Sequence, residues 1–181
     1  GLEKNSLVLK SFADAKKIQS AISELLSKNP AAKIVVGGGG PTGIEVASEI
    51  KYNYPKARVA IVEAMPTLLP GFSPRFLAPV AERLRKLGVE IIAGEAIASV
   101  TKDKAVSKNK RDLPFDLLIW TGGVKAPAFL ATLPIKTEPH GRMEVAPAML
   151  CLPQTPDLKL RPMFYALGDS EAEVSQMGSA C

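Results

Sequence analysis

The chain has 181 residues, of which 46% are hydrophobic and 23% are charged. This composition excludes a disordered chain and a coiled coil, and the length suits one globular domain. The formal net charge is +5, but lysines and arginines are scattered along the chain. Their only concentration, at 102–111, predicts a solvated loop or hairpin, so we expect no nucleic-acid partner.

Neither a membrane segment nor a metal site is predicted. No apolar run reaches the roughly eighteen residues that a spanning helix needs, and the chain does not start with a secretory signal pattern. Cys151 and Cys181 are not spaced as a metal site or a CxxC pair. Two free thiols are ordinary in a reducing compartment, so we expect a cytoplasmic or other intracellular location.

The first predicted element is an amphipathic helix over 12–27. Ser11 and Asp14 predict a capping box at its start, and Asn29-Pro30 ends it. Its apolar face contains Ala15, Ile18, Ile22, Leu25 and Leu26.

A strand, a helix and a second strand follow as one unit. The apolar run 33–36 predicts a buried strand, and glycines then open a helix with Gly43, Ala47 and Ile50 on one side. The run 58–62 predicts the next strand, and a crossover of this kind places its two strands in parallel.

The next helix has a clear end and an ambiguous start. Ser73-Pro74 offers an N-cap and a first-turn proline, and Gly88 is the stop. Pro79 would break a helix that began at Pro74, so we predict that the regular part begins nearer Phe76. Its apolar face would contain Phe76, Leu77, Val80, Leu84 and Leu87.

The remaining predicted elements are short. Strands are expected at 89–93, 96–101, 105–107, 115–120 and 163–167, with a long irregular connection over 125–162. Trp120, on an apolar strand, is expected in the core. The pattern predicts an α/β fold: a Rossmann-like parallel sheet with helices on one side and a small antiparallel β excursion.

A glycine-rich turn carries the first functional signal. Gly38, Gly40 and Gly43 have the spacing GxGxxG directly after a strand and at the opening of a helix. The first would allow the tight turn, the second a close approach of pyrophosphate, and the third close helix packing. Pro41 has no N–H, so the donors must come from Gly40, Thr42 and their neighbours. Gly39 lies within the same turn. Glycine turns also occur for purely structural reasons.

Glu63 adds context to this turn. It ends the second strand of the unit, twenty-five residues after Gly38, near where an acid accepts hydrogen bonds from the adenosine ribose. Its alternative is a surface residue that merely follows a strand. A carboxylate there would repel the 2′-phosphate of NADP, and the next arginine is Arg75. NAD(H) is therefore favoured over NADP(H).

Several motifs in order resemble one family. The sequence 34–50, Ile-Val-Val-Gly-Gly-Gly-Gly-Pro-Thr-Gly-Ile-Glu-Val-Ala-Ser-Glu-Ile, is similar to the second nucleotide motif of two-dinucleotide flavoproteins. These include type II NADH dehydrogenases and apoptosis-inducing-factor-like oxidoreductases of the pyridine nucleotide-disulfide oxidoreductase superfamily. Further matches lie at 59–63, 87–91, 116–122, 141–145 and 165–169, and the stretch 49–55 is especially similar to the apoptosis-inducing-factor-like branch.

The resemblance implies a domain organisation. In such proteins an FAD domain is interrupted by an NAD(H) domain, and a second GxGxxG near the start would mark the FAD part; this chain has none there. We therefore expect a domain-sized fragment or truncated gene product. It would comprise a lead-in helix segment (1–31), an NAD(H)-binding Rossmann-like domain (32–162) and the start of the returning FAD-domain segment (163–181).

The resemblance also implies roles for individual residues. The turn from Gly38 to Gly43 would hold the pyrophosphate, and Glu63, followed by Ala64, the adenosine ribose. Thr121 and Gly122 would form the turn over the cofactor, and Asp169 would bond the ribityl chain of FAD in the complete protein. Glu45 matches a glutamate near the nicotinamide and flavin; a first-turn acid stabilised by the helix dipole is equally consistent.

The favoured hypothesis is the NAD(H)-binding domain of an FAD-dependent NADH oxidoreductase, which presents nicotinamide for hydride transfer to flavin. The isolated chain would bind nicotinamide dinucleotide but not turn over. One alternative is a nicotinamide-nucleotide-sensing or interaction module without catalysis. Another is part of a thiol-disulfide reductase of the same superfamily. A second copy of the chain, forming a homodimer, is a further candidate partner.

Overall fold

The computed structural model describes residues 2–123, 128–138, 141–146, 151–154 and 171–173. The chain divides into two compact units, Gly1–Gly122 and Gly123–Cys181. The elements of the first unit are α1 (Leu2–Asn5), β1 (Leu7–Val8), α2 (Phe12–Lys28), β2 (Lys33–Gly37), α3 (Pro41–Asn53), β3 (Arg58–Glu63), α4 (Pro74–Leu87), β4 (Val89–Ala93), β5 (Ile97–Val100), β6 (Lys104–Ser107), β7 (Asp112–Pro114) and β8 (Leu117–Trp120).

A five-stranded sheet in the order β1-β8-β2-β3-β4 forms the centre of the first unit. All its pairings are parallel, and the register of the central pair places Val35 beside Ala60 and Gly37 beside Val62. The strands are apolar runs because both faces of the sheet are covered. The chain moves from β2 to β3 on one side, while β8 lies on the other side of β2.

The helices cover one face of this sheet. α2, α3 and α4 bury apolar residues against alternate side chains of β2, β3 and β8. The shared core contains Ile18, Ile22 and Leu26 of α2, Ala47 and Ile50 of α3, Leu84 of α4, and Ile34, Val36, Val59, Ile61 and Ile119 of the strands.

A small antiparallel sheet, β5-β6-β7, covers the opposite face. Its residues Val100, Ala105 and Leu113 pack with Val35, Ala60, Val62, Ile92 and Leu118 of the parallel sheet. The predicted fold class is confirmed, with helices on one side of a parallel sheet and an antiparallel excursion on the other. β7 was not predicted because three residues ending in a proline show no strand periodicity.

The prediction for the start of α4 is wrong. The helix begins at Pro74 with Ser73 as its N-cap, and Pro79 lies inside it. A proline there removes the bond to the carbonyl four residues earlier, that of Arg75. Both residues are exposed, so water can bond the released carbonyl. Phe76 is also not a core residue: it is 53% exposed and stacks on Phe72, with ring centroids 5.7 Å apart.

The second unit contains a 3₁₀ helix (Ala128–Thr132), β9 (Met143–Val145) and β10 (Glu171–Glu173), and its two strands pair in parallel. Among its described residues, the buried core contains Leu130, Ile135, Met143, Val145 and Cys151. The described part of 125–162 is therefore less irregular than predicted, because its elements are too short for periodicity. The strand predicted at 163–167 lies outside the described residues.

The capping box of α2 is confirmed. The Ser11 hydroxyl accepts from the Asp14 amide at 3.2 Å, and the Asp14 carboxylate accepts from the Ser11 amide at 3.0 Å. The Ser11 hydroxyl also donates to Asp14 Oδ2 at 2.8 Å, and this hydrogen bond lowers the pKa of Asp14. Ser11→Ala is expected to reduce the free energy of unfolding by about 1 kcal/mol in urea titrations. Ser27→Ala, near the helix's other end, is the control; an equal loss there would contradict the cap.

The described residues contain neither a membrane-spanning helix nor a metal-binding cluster. No helix among them is long and apolar enough to cross a membrane. Their His, Cys, Asp and Glu side chains form no group of three that could hold a metal ion.

Candidate functional site

The glycine-rich turn lies at the carboxyl ends of β2, β3 and β8. This is the point where the strand order reverses, because β3 and β8 flank β2 on opposite sides. Ligands of open parallel sheets bind in the crevice at such a point. The fold therefore places the turn at the position expected for a binding site.

Gly38 and Gly43 are needed for the backbone geometry of the turn. Gly38 has φ +113°, which L side chains rarely adopt, and its amide donates to the Val62 carbonyl at 2.8 Å. A Cβ on Gly43 would lie 1.9 Å from the Gly38 carbonyl oxygen. The start of α3 thus packs directly on the turn.

Gly40 faces open space and has a different role. It is the N-cap of α3, with φ −74°, and a Cβ there would meet nothing within 4 Å. Among the described residues, the structure records no acceptor for the amides of Gly40, Thr42 and Gly43. Pro41, at the first helical position, has no N–H. Three free amides at a helix N-terminus are suited to an anion such as pyrophosphate.

Glu63 holds the glycine turn in place. Its Oε2 accepts from the Gly39 amide at 2.6 Å, and its Oε1 accepts from the Met65 amide at 2.8 Å. The residue is only 8% exposed. A carboxylate has about four acceptor sites, so lone pairs remain for a further donor. The interpretation of Glu63 as only a surface residue after a strand is wrong, because the packing buries its side chain against the turn.

The segment after β3 supports the turn in a way that sequence reasoning missed. The Leu69 amide donates to the Gly39 carbonyl at 2.8 Å, and Leu68 packs so closely that a Cβ on Gly39 would lie 2.6 Å from it. Leu69 itself has φ +49°, which is uncommon for a residue other than glycine. The sequence signal that could have revealed this support is the pair of apolar residues Leu68 and Leu69 within a segment rich in turn-forming residues.

Thr121 joins the end of β8 to the turn. Its amide and its hydroxyl both donate to the Gly37 carbonyl, at 2.9 and 3.1 Å. The Trp120 ring packs over Gly37 and Gly122, where added Cβ atoms would lie 2.5 and 3.2 Å from it. Thr121 and Gly122 are therefore brought to the glycine turn.

Glu45 lies on α3, two residues after Gly43 of the glycine turn. It is exposed and lines a groove of about 400 Å³ whose other residues come from α2, α3, Leu9 and Tyr54. None of the lining residues is a glycine of the turn. The interpretation as a first-turn acid is wrong, because α3 begins at Pro41 and has no acidic residue in its first turn.

Three other predicted features remain to be placed. Ala64 is exposed directly after Glu63, and Asp169 lies outside the described residues. Cys151 is a buried free thiol, and burial raises its pKa. A raised pKa leaves less of the nucleophilic thiolate, so nothing here marks Cys151 as reactive.

The fold and the site together define a Rossmann-like unit: strand, glycine turn, helix, strand and terminal acid. The model of the pyridine nucleotide-disulphide oxidoreductase family matches residues 1–179. The chain belongs to this family, as its motifs predicted.

The relatives found by comparison are longer proteins. The chain is 27% identical over 158 residues to an internal alternative NAD(P)H-ubiquinone oxidoreductase of Arabidopsis thaliana, with 81% of this chain and 29% of the relative covered. It is 28% identical over 106 residues to a type II NADH:quinone oxidoreductase of Haemophilus influenzae, with 51% and 24% covered. The chain thus spans less than a third of these relatives.

A solved structure agrees with the fold. NDH2 from Plasmodium falciparum, in complex with NADH, matches with a TM-score of 0.75 and 25% identity. The alignment covers 96% of this chain and 41% of that one.

Proposed function

We propose that this chain is the NAD(H)-binding domain of an FAD-dependent NADH oxidoreductase, where it presents nicotinamide for hydride transfer to flavin. The observation that carries the proposal is the glycine turn, where the amides of Gly40, Thr42 and Gly43 have no acceptor among the described residues and the buried carboxylate of Glu63 lies alongside. Family membership and the NADH-bound neighbour support it. In such proteins the nicotinamide supplies the hydride, and the flavin accepts it.

The role of this chain's own residues would be to bind the nicotinamide dinucleotide and to orient it. The amides of Gly40, Thr42 and Gly43 would hold the pyrophosphate, and the open space beside Gly40 would admit it. The remaining lone pairs of Glu63 would accept from the adenosine ribose hydroxyls. Thr121 and Gly122 would close the crevice from β8. Glu63 and Thr121 are already held by hydrogen bonds to the backbone of the turn, so binding would need little rearrangement of these two side chains.

The other predicted residues complete the proposal at the domain level. We assign 1–31 as the lead-in segment, 32–162 as the NAD(H) domain and 163–181 as the return to the FAD domain, with Asp169 on the ribityl chain. Glu45 would face the nicotinamide and flavin from its exposed position on α3. A second GxGxxG in the coding sequence upstream would support this assignment, and its absence would favour a nucleotide-sensing module.

Binding is testable with the chain as it exists. Trp120 is the only tryptophan and packs on Gly37 at the crevice, so bound NADH should quench its emission by energy transfer. Saturable quenching and a rise in melting temperature are expected below about 1 mM NADH. If neither signal changes up to that concentration, the isolated chain does not bind the cofactor.

Nucleotide preference gives a separate prediction. The buried carboxylate of Glu63 should repel the 2′-phosphate, so NADPH should bind more weakly than NADH. Ala64→Arg should raise NADPH affinity about tenfold, because an exposed guanidinium beside the ribose can pair with that phosphate. Ala64→Gln is the uncharged control. Equal NADH and NADPH affinities in the unmodified chain would contradict this role of Glu63.

A further inference from the structure

A second concave site lies at the end of the parallel sheet opposite the glycine turn. It is a hollow of about 320 Å³ at the amino ends of β2, β3 and β4. Its charged lining residues are Lys33, Lys51, Lys56, Arg58 and Glu90. The glycine turn begins after the five residues of β2, roughly 15 Å along the strand.

Backbone carbonyls hold two of these cations in place. The Lys51 ammonium donates to the Pro55 and Ala57 carbonyls at 2.8 and 2.7 Å. Arg58 Nε donates to the Ala31 carbonyl at 2.9 Å. Carbonyls fix the side chains without neutralising their charge. Both cations are therefore pre-organised and keep further N–H groups for another acceptor.

The lining carries a net positive charge. Its four cations face a single carboxylate, Glu90, which leaves three positive charges in excess. Glu90 contacts Lys33 only at 3.9 Å. Asp116, at the same sheet edge, accepts from the Lys33 backbone amide and is not part of the lining. Within the described residues, no ion pair is recorded for Lys56 or Arg58. A concave surface of one sign concentrates counter-ions.

We propose that this hollow binds a small phosphorylated anion, such as the diphosphate group of a metabolite. The volume lies at the lower end of small-molecule sites, which suits a compact ligand. A guanidinium together with ammonium groups is the donor set that phosphates prefer. Because this site and the glycine turn lie at opposite ends of the same strands, the proposal is independent of the proposed NAD(H) function.

Inorganic pyrophosphate is the probe. Calorimetric titration at constant ionic strength, with NADH present to occupy the glycine turn, should show saturable binding. Lys56→Gln/Arg58→Gln should weaken it about tenfold or more. Lys102→Gln/Lys108→Gln removes the same charge from exposed positions in the turns that follow β5 and β6 and should leave affinity within about twofold. Lys56 is exposed, so Lys56→Gln alone should fold normally. This single variant should show part of the loss of pyrophosphate affinity even if the double variant folds poorly.

Amide NMR locates the bound anion. Shifts of Lys51, Lys56, Arg58 and Gly88 on addition of pyrophosphate would support the site. Shifts confined to Gly40 and Thr42 would overturn it, as would equal losses in both double variants or no saturable binding at matched ionic strength. An acidic peptide that binds where pyrophosphate does not would also overturn it in favour of a protein partner. NADH quenching of Trp120, read in the same samples, reports the other site separately.

Discussion

Replacing Gly40 with alanine is expected to weaken NADH binding about ten- to a hundredfold, which corresponds to the loss of charge-assisted hydrogen bonds worth about 1.5 to 3 kcal/mol. A Cβ at this position meets no protein atom within 4 Å, and φ −74° is allowed for alanine. It would therefore occupy only the space through which pyrophosphate approaches. Stability should change by no more than about 1 kcal/mol. Trp120 quenching and urea titration measure the two effects.

Gly43→Ala is the matched comparison, with the opposite pattern. Its Cβ would lie 1.9 Å from the Gly38 carbonyl oxygen and 2.9 Å from the Thr121 hydroxyl. Backbone must move to relieve this overlap, so the free energy of unfolding should fall by about 3 kcal/mol or more. If Gly40→Ala were as destabilising as Gly43→Ala, or bound NADH normally, the role of Gly40 would be wrong.

Replacing Glu63 with alanine is expected to affect both folding and binding. The carboxylate accepts from the Gly39 and Met65 amides, and alanine would leave both donors without an acceptor. A loss of about 2 to 4 kcal/mol in the free energy of unfolding is expected, together with loss of the ribose acceptor and of NADH affinity.

Glu63→Gln separates the two effects better than alanine. Glutamine keeps the size and one acceptor oxygen, while its NH₂ group would face one of the two amides. Stability should lie between those of the parent and of the alanine variant, measured by urea titration. NADH binding is compared at a temperature where both variants are folded. A glutamine variant with parental stability and parental NADH affinity would contradict the assignment.

Local sequence patterns predicted the features that depend on neighbouring residues. The capping box at Ser11 and Asp14 and the glycine spacing at 38–43 involve residues a few positions apart, so their geometry follows from the chain itself. The apolar runs of β2 and β3 likewise predicted buried parallel strands. Pro79 shows the limit of local rules, because solvent exposure decides whether a helix tolerates a proline.

The sequence alone determined the Rossmann-like fold class, the position of the glycine turn and the presence of an acid, Glu63, at the end of the following strand. Only the tertiary structure decided how they cooperate. Strand order places Thr121 against Gly37, 84 residues earlier, and loop packing turns Glu63 into a support for Gly39. The positive hollow likewise gathers Lys33, Lys51 and Arg58 from separate elements. Such contacts depend on pairing between distant segments, which local periodicity does not encode.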